Sequence, residues 1–196
     1  MLFFFPFIIN GQNILHKKFD SKNIYLVELS LSLASSITIS NSDTEFIELN
    51  YTARGEYKNS TFISSKVNKD RVYIEEKLIL NSINFNDKLS VHKNHSTSLN
   101  ISVPEHINLK LNIKDAITKI NGNVSRINIS QNSGEIYLND WNSPGILKTI
   151  SANIFFSNPN VKILTNLKKQ SNCDNFESNN LLEVATVSGI IDCITF

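Results

Sequence analysis

Three carboxylates in the second half of the chain, Asp115, Glu135 and Asp140, have the type and spacing that could support catalysis. Glycoside hydrolysis uses two carboxyl groups at a defined separation, at least one of them in a tuned environment, and these three could project from neighbouring strands of a stacked sheet. Lys114, Lys119 and Lys148 stand near them, so ordinary surface charge pairs are the expected arrangement. The four histidines are His16, His92, His95 and His106. Only His92 and His95 are close, and an i, i+3 pair in a strand or loop points to different sides, which does not make a metal site. The sequence has no Gly-x-Ser-x-Gly elbow, no phosphate-binding glycine loop and no His-Glu-x-x-His helix. It therefore assigns no catalytic, cofactor-binding or metal-binding residue, and a non-enzymatic protein is expected. Trp141, the single tryptophan, follows Asn139 and Asp140 at an inferred corner. An indole beside amide and acidic groups could form a sugar-stacking platform, although packing against the body of the protein is the commoner fate.

Such residues need elements to hold them, and those elements are strands. Ile117–Gly122, Ile136–Asp140 and Ile154–Asn158 repeat a short apolar run closed by Asn-Gly, Asn-Asp or Ser-Asn, at a spacing of about 18 residues. The closing residues tolerate the left-handed backbone of a tight corner. A chain that repeats strand then corner builds stacked rungs. Upstream, Leu29 with Leu31, Ile37 with Ile39, and Leu49 with Tyr51 alternate with polar neighbours as half-buried strands do. Val72 to Leu80 reads as a further strand, with one helical turn conceivable at Glu75–Leu78, and 81–100 reads as a polar connection. Leu99, Ile101 and Val103 start the second part, and Pro104 should end that strand or lie at an edge. Ile107, Leu109, Leu111 and Ile113 then alternate cleanly. The alternation continues through Ile127 and Ile129, Ile146 and Ile150, Val161 and Ile163, Val184 and Val187, and Ile190 with Ile191. Gly122, Gly134, Gly145 and Gly189 fall at inferred corners.

Composition sets outer limits on function. The 196 residues suit one substantial domain, and an apolar share of 41% is enough for a core. With 19 basic against 18 acidic residues and no basic run longer than two, nucleic acid and anionic membrane are excluded as main partners, because phosphate binding needs clustered positive charge. Residues 2 to 9, Leu-Phe-Phe-Phe-Pro-Phe-Ile-Ile, are too few to span a bilayer as a helix, which takes about 20 residues. They fit the apolar core of a secretory signal, with 1–11 as the signal peptide and 12–196 as one domain. A buried first strand is the alternative. No second long apolar run argues for a membrane span.

Four segments carry a resemblance to a known family: Asn100-Ile-Ser-Val-Pro-Glu-His-Ile-Asn-Leu-Lys-Leu, Lys119-Ile-Asn-Gly-Asn-Val, Ile129-Ser-Gln-Asn-Ser-Gly-Glu-Ile and Thr186-Val-Ser-Gly-Ile-Ile. Over about residues 20 to 196 the chain resembles the bacterial putative adhesin family with repeated β-strands, related to the auto-transporter adhesin head domain. With Asp87-Lys-Leu-Ser-Val-His-Lys upstream, it is similar to uncharacterised members from flavobacteria-like organisms. The resemblance implies an all-β, single-stranded, right-handed β-solenoid with additional N-terminal strands, at the cell surface or in the periplasm, without a catalytic centre. Asp140, Asn153 and Asn158 stand where that pattern leads one to expect Gly, so the middle rungs should be less regular.

The expected function is that of an exported structural or interaction protein, an adhesin-like scaffold of the cell envelope whose partner is a surface protein or polysaccharide. A carbohydrate-active β-helix enzyme and an envelope-stress signalling component are the alternatives. An outer-membrane barrel, suggested by Phe196 with Ile194 and Ile190, would need strands of roughly nine to eleven residues with an apolar outer face, and the runs here are shorter. Cys173 and Cys193 lie 20 residues apart in the last two inferred rungs. Residues one coil apart in stacked strands, about 4.8 Å from each other, suit a disulfide. The polar Ser171–Asn180 stretch would absorb the difference from an 18-residue period, and an exporting compartment would permit the bond. Two reduced, buried thiols are the alternative.

Overall fold

A computed structural model describes residues 12–55, 59–79, 95–166, 173 and 178–194. Its strands, in chain order, are β1 (Gln12–Asp20), β2 (Leu26–Leu31), β3 (Ser36–Asn41), β4 (Phe46–Gly55), β5 (Thr61–Asn68), β6 (Arg71–Leu78) and β7 (His95–Val103). The second half adds β8 (Asn108–Asn121), β9 (Arg126–Asn139), β10 (Gly145–Thr149), β11 (Asn153–Ser157), β12 (Lys162–Thr165), β13 (Leu181–Thr186) and β14 (Ile191–Ile194). No helix occurs among the described residues, and Glu75–Leu78 is strand. All fourteen strands belong to one mixed sheet.

The two longest strands, β8 and β9, organise the rest. They run parallel with Asn108 opposite Arg126 and Asn121 opposite Asn139, a constant step of 18 residues. Strand β9 then pairs with β10 through its first half and with β11 through its second, again in steps of 18. On the other side of β8 the first half meets β2 and the second half meets β3. Each long strand thus carries two ladders joined at a bend. In β8 the buried residues are Leu109, Leu111 and Ile113, then Ala116, Thr118 and Ile120, with Lys114 and Asp115 exposed in succession between them. Two outward residues in a row switch which parity faces the core, as a bulge does, and re-aim the strand. In β9 the same bend contains Gly134 at φ 93°, where a Cβ would come within 2.1 Å of the Ala116 carbonyl oxygen. Only glycine fits that approach. Gln131 stitches the bend together: its side-chain amide donates to the carbonyl oxygens of Ala116 and Ser133 at 2.8 Å, and its oxygen accepts from Thr118 Oγ1 at 2.8 Å. One continuous core lies against both halves.

The opposite corner is equally regular. Gly122, Asp140 and Asn158 all have positive φ, 93°, 49° and 47°, and sit 18 residues apart. Aspartate and asparagine are the residues that best replace glycine in the left-handed region, so the absence of Gly at 140 and 158 leaves the rungs regular. Asparagine side chains link successive layers there. Asn41 Oδ1 accepts from Asn123 N at 2.7 Å, Asn123 Oδ1 from Asn142 N at 2.8 Å, and Asn180 Nδ2 donates to Asn142 O at 2.6 Å.

Several expectations need correction. The all-β class holds, and the strands form one open mixed sheet that is not parallel throughout, since β4 is added antiparallel to β7, β1 antiparallel to β4, and β5 antiparallel to β6. Stacking does not follow chain order at the far end either, since β13 lies between β10 and β12. The repeat at Ile117 is offset by one: Thr118, not Ile117, stands opposite Ile136, and Ile117 is exposed. Ile150, Val187 and Ile190 are likewise exposed at bends, while Leu147, Val184 and Ile191 fill the core. Strand β7 ends at Val103, immediately before Pro104, and its N-terminal part occupies 95–100 where a connection is expected. Residues 1–11, the whole of 81–94 with His92, and Phe196 lie outside the described residues.

A buried carboxylate holds the N-terminal half together. Glu76, only 6% exposed, accepts the N–H groups of Ser32, Leu33 and Ala34 on Oε2 at 3.1, 2.6 and 2.9 Å, closing the bend between β2 and β3. Its Oε1 accepts from Tyr51 at 2.8 Å and lies 3.0 Å from Thr97 Oγ1. Glu76→Ala would strip partners from three backbone donors in one corner, and the expected loss is about 3 kcal/mol or more, read as a shift of the urea-unfolding midpoint. Burial first, then the Glu76 charge and the hydrogen bond to it, push the Tyr51 pKa well above the ordinary tyrosine value. The folded chain therefore keeps a proton that the unfolded chain releases above about pH 10. That contribution is present below pH 10 and is lost as pH rises further. Tyr51→Phe should cost about 1–3 kcal/mol at pH 7 and flatten the fall of stability on the alkaline side, measured by denaturant titrations across pH.

Candidate functional site

Outward residues of the sheet differ sharply between the two halves. Beyond the bends, β7, β3, β8, β9 and β11 point Ser98, Asn100, Thr38, Lys119, Tyr137 and Phe155 away from the core, with mostly Ser and Asn around them. Before the bends, β6, β2, β8, β9 and β10 point Arg71, Glu75, Glu28, Lys110, Arg126 and Lys148 outward. The charged half partly neutralises itself, as in the Lys110–Glu28 pair at 2.8 Å and the Lys77–Glu75 pair at 3.0 Å. The neutral half carries a depression.

That depression, about 340 Å³ in volume, is lined by Ile117, Lys119, Glu135, Tyr137 and Asn139. Strand register explains why these residues meet. Ile117 faces Glu135, Lys119 faces Tyr137 and Asn121 faces Asn139 across the β8–β9 ladder. Tyr137 in turn faces Phe155 of β11, and the rings stack with centroids 5.0 Å apart at 21°. Phe155 therefore covers one face of the tyrosine ring. The other face is turned to β8, where the Lys119 ammonium lies 5.9 Å from the ring centroid. Tyr137 donates its hydroxyl proton to Glu135 Oε2 at 2.7 Å, and Asn139 Nδ2 donates to Asn121 Oδ1 at 2.6 Å. Lys119 and Glu135 supply one charge of each sign, so the lining is electrically balanced.

The sequence-derived candidates fall into two groups. Glu135 belongs to the depression, but one of its oxygens is engaged by Tyr137. Asp140 is five strand positions beyond Glu135, about 16 Å at the rise of an extended chain, farther than a general acid and its partner carboxylate stand apart in glycosidases. Asp115 occupies the bend, opposite Ser133. The expected pairs with Lys114, Lys119 and Lys148 do not form among the described residues: Lys119 sits over Tyr137, and Asp140 instead accepts from Asn158 Nδ2 at 3.4 Å. Trp141 offers no stacking platform. It is 0% exposed, and its Nε1 has no hydrogen-bond partner among the described residues. The aromatic surface lies instead at Tyr137 and Phe155, which share the 18-residue step and alternate with the buried Ile136, Leu138, Ile154 and Phe156. That shared step, read against the inward neighbours on each side, is the signal that identifies them. Away from the depression, Cys173 and Cys193 are joined, with Sγ atoms 1.95 Å and Cα atoms 5.3 Å apart. His16 Nδ1 lies 2.7 Å from Asn50 Oδ1. Among the described residues no helix is long and apolar enough to cross a membrane.

The hydrogen bond to Glu135 is the main cause that raises the Tyr137 pKa, with burial and the Glu135 charge adding to it. In Glu135→Gln that tyrosine should titrate at lower pH than in the parent chain, followed by the ultraviolet absorbance of tyrosinate with Tyr137→Phe to assign the signal.

No family model matches the chain, and no curated protein does. Among solved structures, a putative cell adhesion protein from Clostridium sporogenes is similar with a TM-score of 0.61 at 15% identity, over 94% of this chain and all of that one. A putative adhesin from Bacteroides fragilis aligns over 94% of this chain and 97% of its own at 7% identity, with a TM-score of 0.31. A putative adhesin from Parabacteroides distasonis aligns over 92% and 82% at 11% identity, with a TM-score of 0.35. The first of these shares the fold of this chain.

Proposed function

We propose that this chain is an exported, non-enzymatic interaction protein of the cell envelope, adhesin-like in character, that presents one outward sheet surface to a partner. Its stacked strands act as a solenoid-type scaffold of right-handed rungs with extra strands at the N-terminal end, and the first eleven residues act as its secretory signal. The observation that carries the reading is the contrast between the two outward halves: one carries charged side chains on successive strands, some of them paired, and the other bears an aromatic pair beside a charge-balanced depression. Paired backbone groups lie beneath that surface, so it offers side chains and not an unpaired strand edge. The similarity of fold to a putative cell adhesion protein supports the same reading. Export is supported by the apolar run at 2–9 and by the Cys173–Cys193 bridge, a bond that persists in oxidising compartments. The carboxylates favour no hydrolytic reading, with Asp140 remote from Glu135.

In the native host the protein should be recovered outside the cytosol, without its first eleven or so residues, with no thiol that labels after denaturation under non-reducing conditions. N-terminal sequencing and mass spectrometry of the labelled protein check this. An intact Met1 in the cytosolic fraction with two labelled thiols would reject export. Microbeads coated with the purified protein should adhere to cells or envelope preparations from its environment, and beads that adhere to none would reject the interaction role.

A further inference from the structure

The depression beside Tyr137 has a chemistry that narrows its ligand. We infer that it binds a neutral glycan, with one pyranose ring lying against the face of Tyr137 that looks across the depression, from which the flexible Lys119 side chain 5.9 Å away swings aside, and the rest of the glycan running across the strands toward β3 and β7. This assignment rests on the interaction role proposed above and names the class of partner.

Four observations lead to it. First, the tyrosine ring is fixed from both sides, by the stacked Phe155 ring and by the hydrogen bond from its hydroxyl to Glu135. A rigid aromatic face with little freedom to lose is suited to packing against the C–H face of a sugar. Second, polar groups surround that face at hydrogen-bonding reach of a ring's hydroxyls. Glu135 Oε1, Asn139 Oδ1 and Asn121 Nδ2 keep hydrogen-bonding capacity after the internal bonds of Glu135 and Asn139 are made. Lys119 supplies a further donor. Third, the charges balance. One ammonium and one carboxylate line the depression, and the outward residues on the adjoining β3 and β7 are Ser36, Thr38, Ser40, Ser98, Asn100 and Ser102. An anionic polymer would find a single lysine there, and a lipid would find little apolar area beyond Ile117 and the two rings. Fourth, the register aligns a track. Tyr137, Lys119, Thr38, Asn100 and Asn50 stand opposite one another on successive strands, giving an outward side chain about every 4.8 Å. A linear ligand crossing the strands would meet an aromatic face, then the Lys119 ammonium, and then the short hydroxyl and amide groups of Thr38, Asn100 and Asn50. A peptide gains nothing equivalent, because the backbone beneath is already paired.

Affinity electrophoresis tests this, with the full chain run through gels containing soluble neutral polysaccharides (glucan, mannan, galactan, and chitin oligosaccharides as competitors) and, separately, an anionic one. The expected result is retardation by at least one neutral polymer, with affinity reduced roughly ten-fold or more in Tyr137→Ala and largely retained in Tyr137→Phe. Ile117→Glu, at a position 43% exposed and outside the core, should block the depression without touching the fold and serves as the second variant if Tyr137→Ala proves unstable. Retardation by no neutral polymer, retardation only by the anionic one, or equal retardation of parent, Tyr137→Ala and Ile117→Glu would each overturn the glycan site. The bead adhesion experiment separates the two readings. Beads that adhere equally well with and without Ile117→Glu would remove the glycan site and leave the interaction role standing, whereas parent beads that never adhere count against the role itself.

Discussion

An extended strand offers alternate side chains to one face only while it stays straight. To continue around an edge and still bury an apolar stripe, it must place two outward residues in succession and resume with the other parity. The bends between β2 and β3, within β8, between β10 and β11 and between β13 and β14 all obey that constraint. In β8 the two residues are Lys114 and Asp115, and between β13 and β14 they are Val187 and Ser188. Each bend has its own chemistry: a carboxylate on three N–H groups at Glu76, a glutamine on backbone carbonyls at Gln131, and a Thr186 hydroxyl accepting Gly189 N at 2.9 Å. These polar groups are buried but satisfied, which is the condition under which a polar group can specify a bend without loosening a core.

The sequence discloses what depends on local pattern and withholds what depends on parity after a bend. Ile107, Leu109, Leu111 and Ile113 read as one inward face and are one. Gly122 reads as a corner and is one, and its partners at Asp140 and Asn158 follow from the same 18-residue count. Where two apolar residues flank a bend, alternation alone favours the wrong one. Val187 is 79% exposed although its apolar type groups it with the buried Val184: alternation through the buried Thr186 turns it outward, and the switch at Val187 and Ser188 then brings Gly189 and Ile191 inward. The same ambiguity directs attention to Trp141, whose size and place beside Asp140 suggest a surface, while Tyr137 and Phe155 sit on strands that read as ordinary core. An aromatic residue between two buried ones points outward, and only the ladder register reveals that two such residues touch.

Asparagine abundance has a physical use here whatever its origin. At the corners its side chain accepts the N–H of the next layer, as at Asn41 and Asn123, or its backbone takes the left-handed conformation, as at Asn158. On the outward rows it adds short, neutral groups that neither repel one another nor seek a counter-ion. A surface of that kind stays in water without the single-sign field that draws polyanions. The composition thus serves both the stacking of the layers and the neutrality of the presented half.

The order of strands at the C-terminal end sets the order in which the protein can be assembled. Strand β12 leaves the chain before β13, yet β13 lies between it and β10 and is its ladder partner. A chain emerging N-terminus first can add β8, β9, β10 and β11 to a growing edge one after another, since each finds its neighbour already in place. Lys162–Thr165 cannot do so. It has to wait unpaired until Leu181–Thr186 arrives and slips in ahead of it, so the last layers close together in a single late event while the earlier ones form progressively.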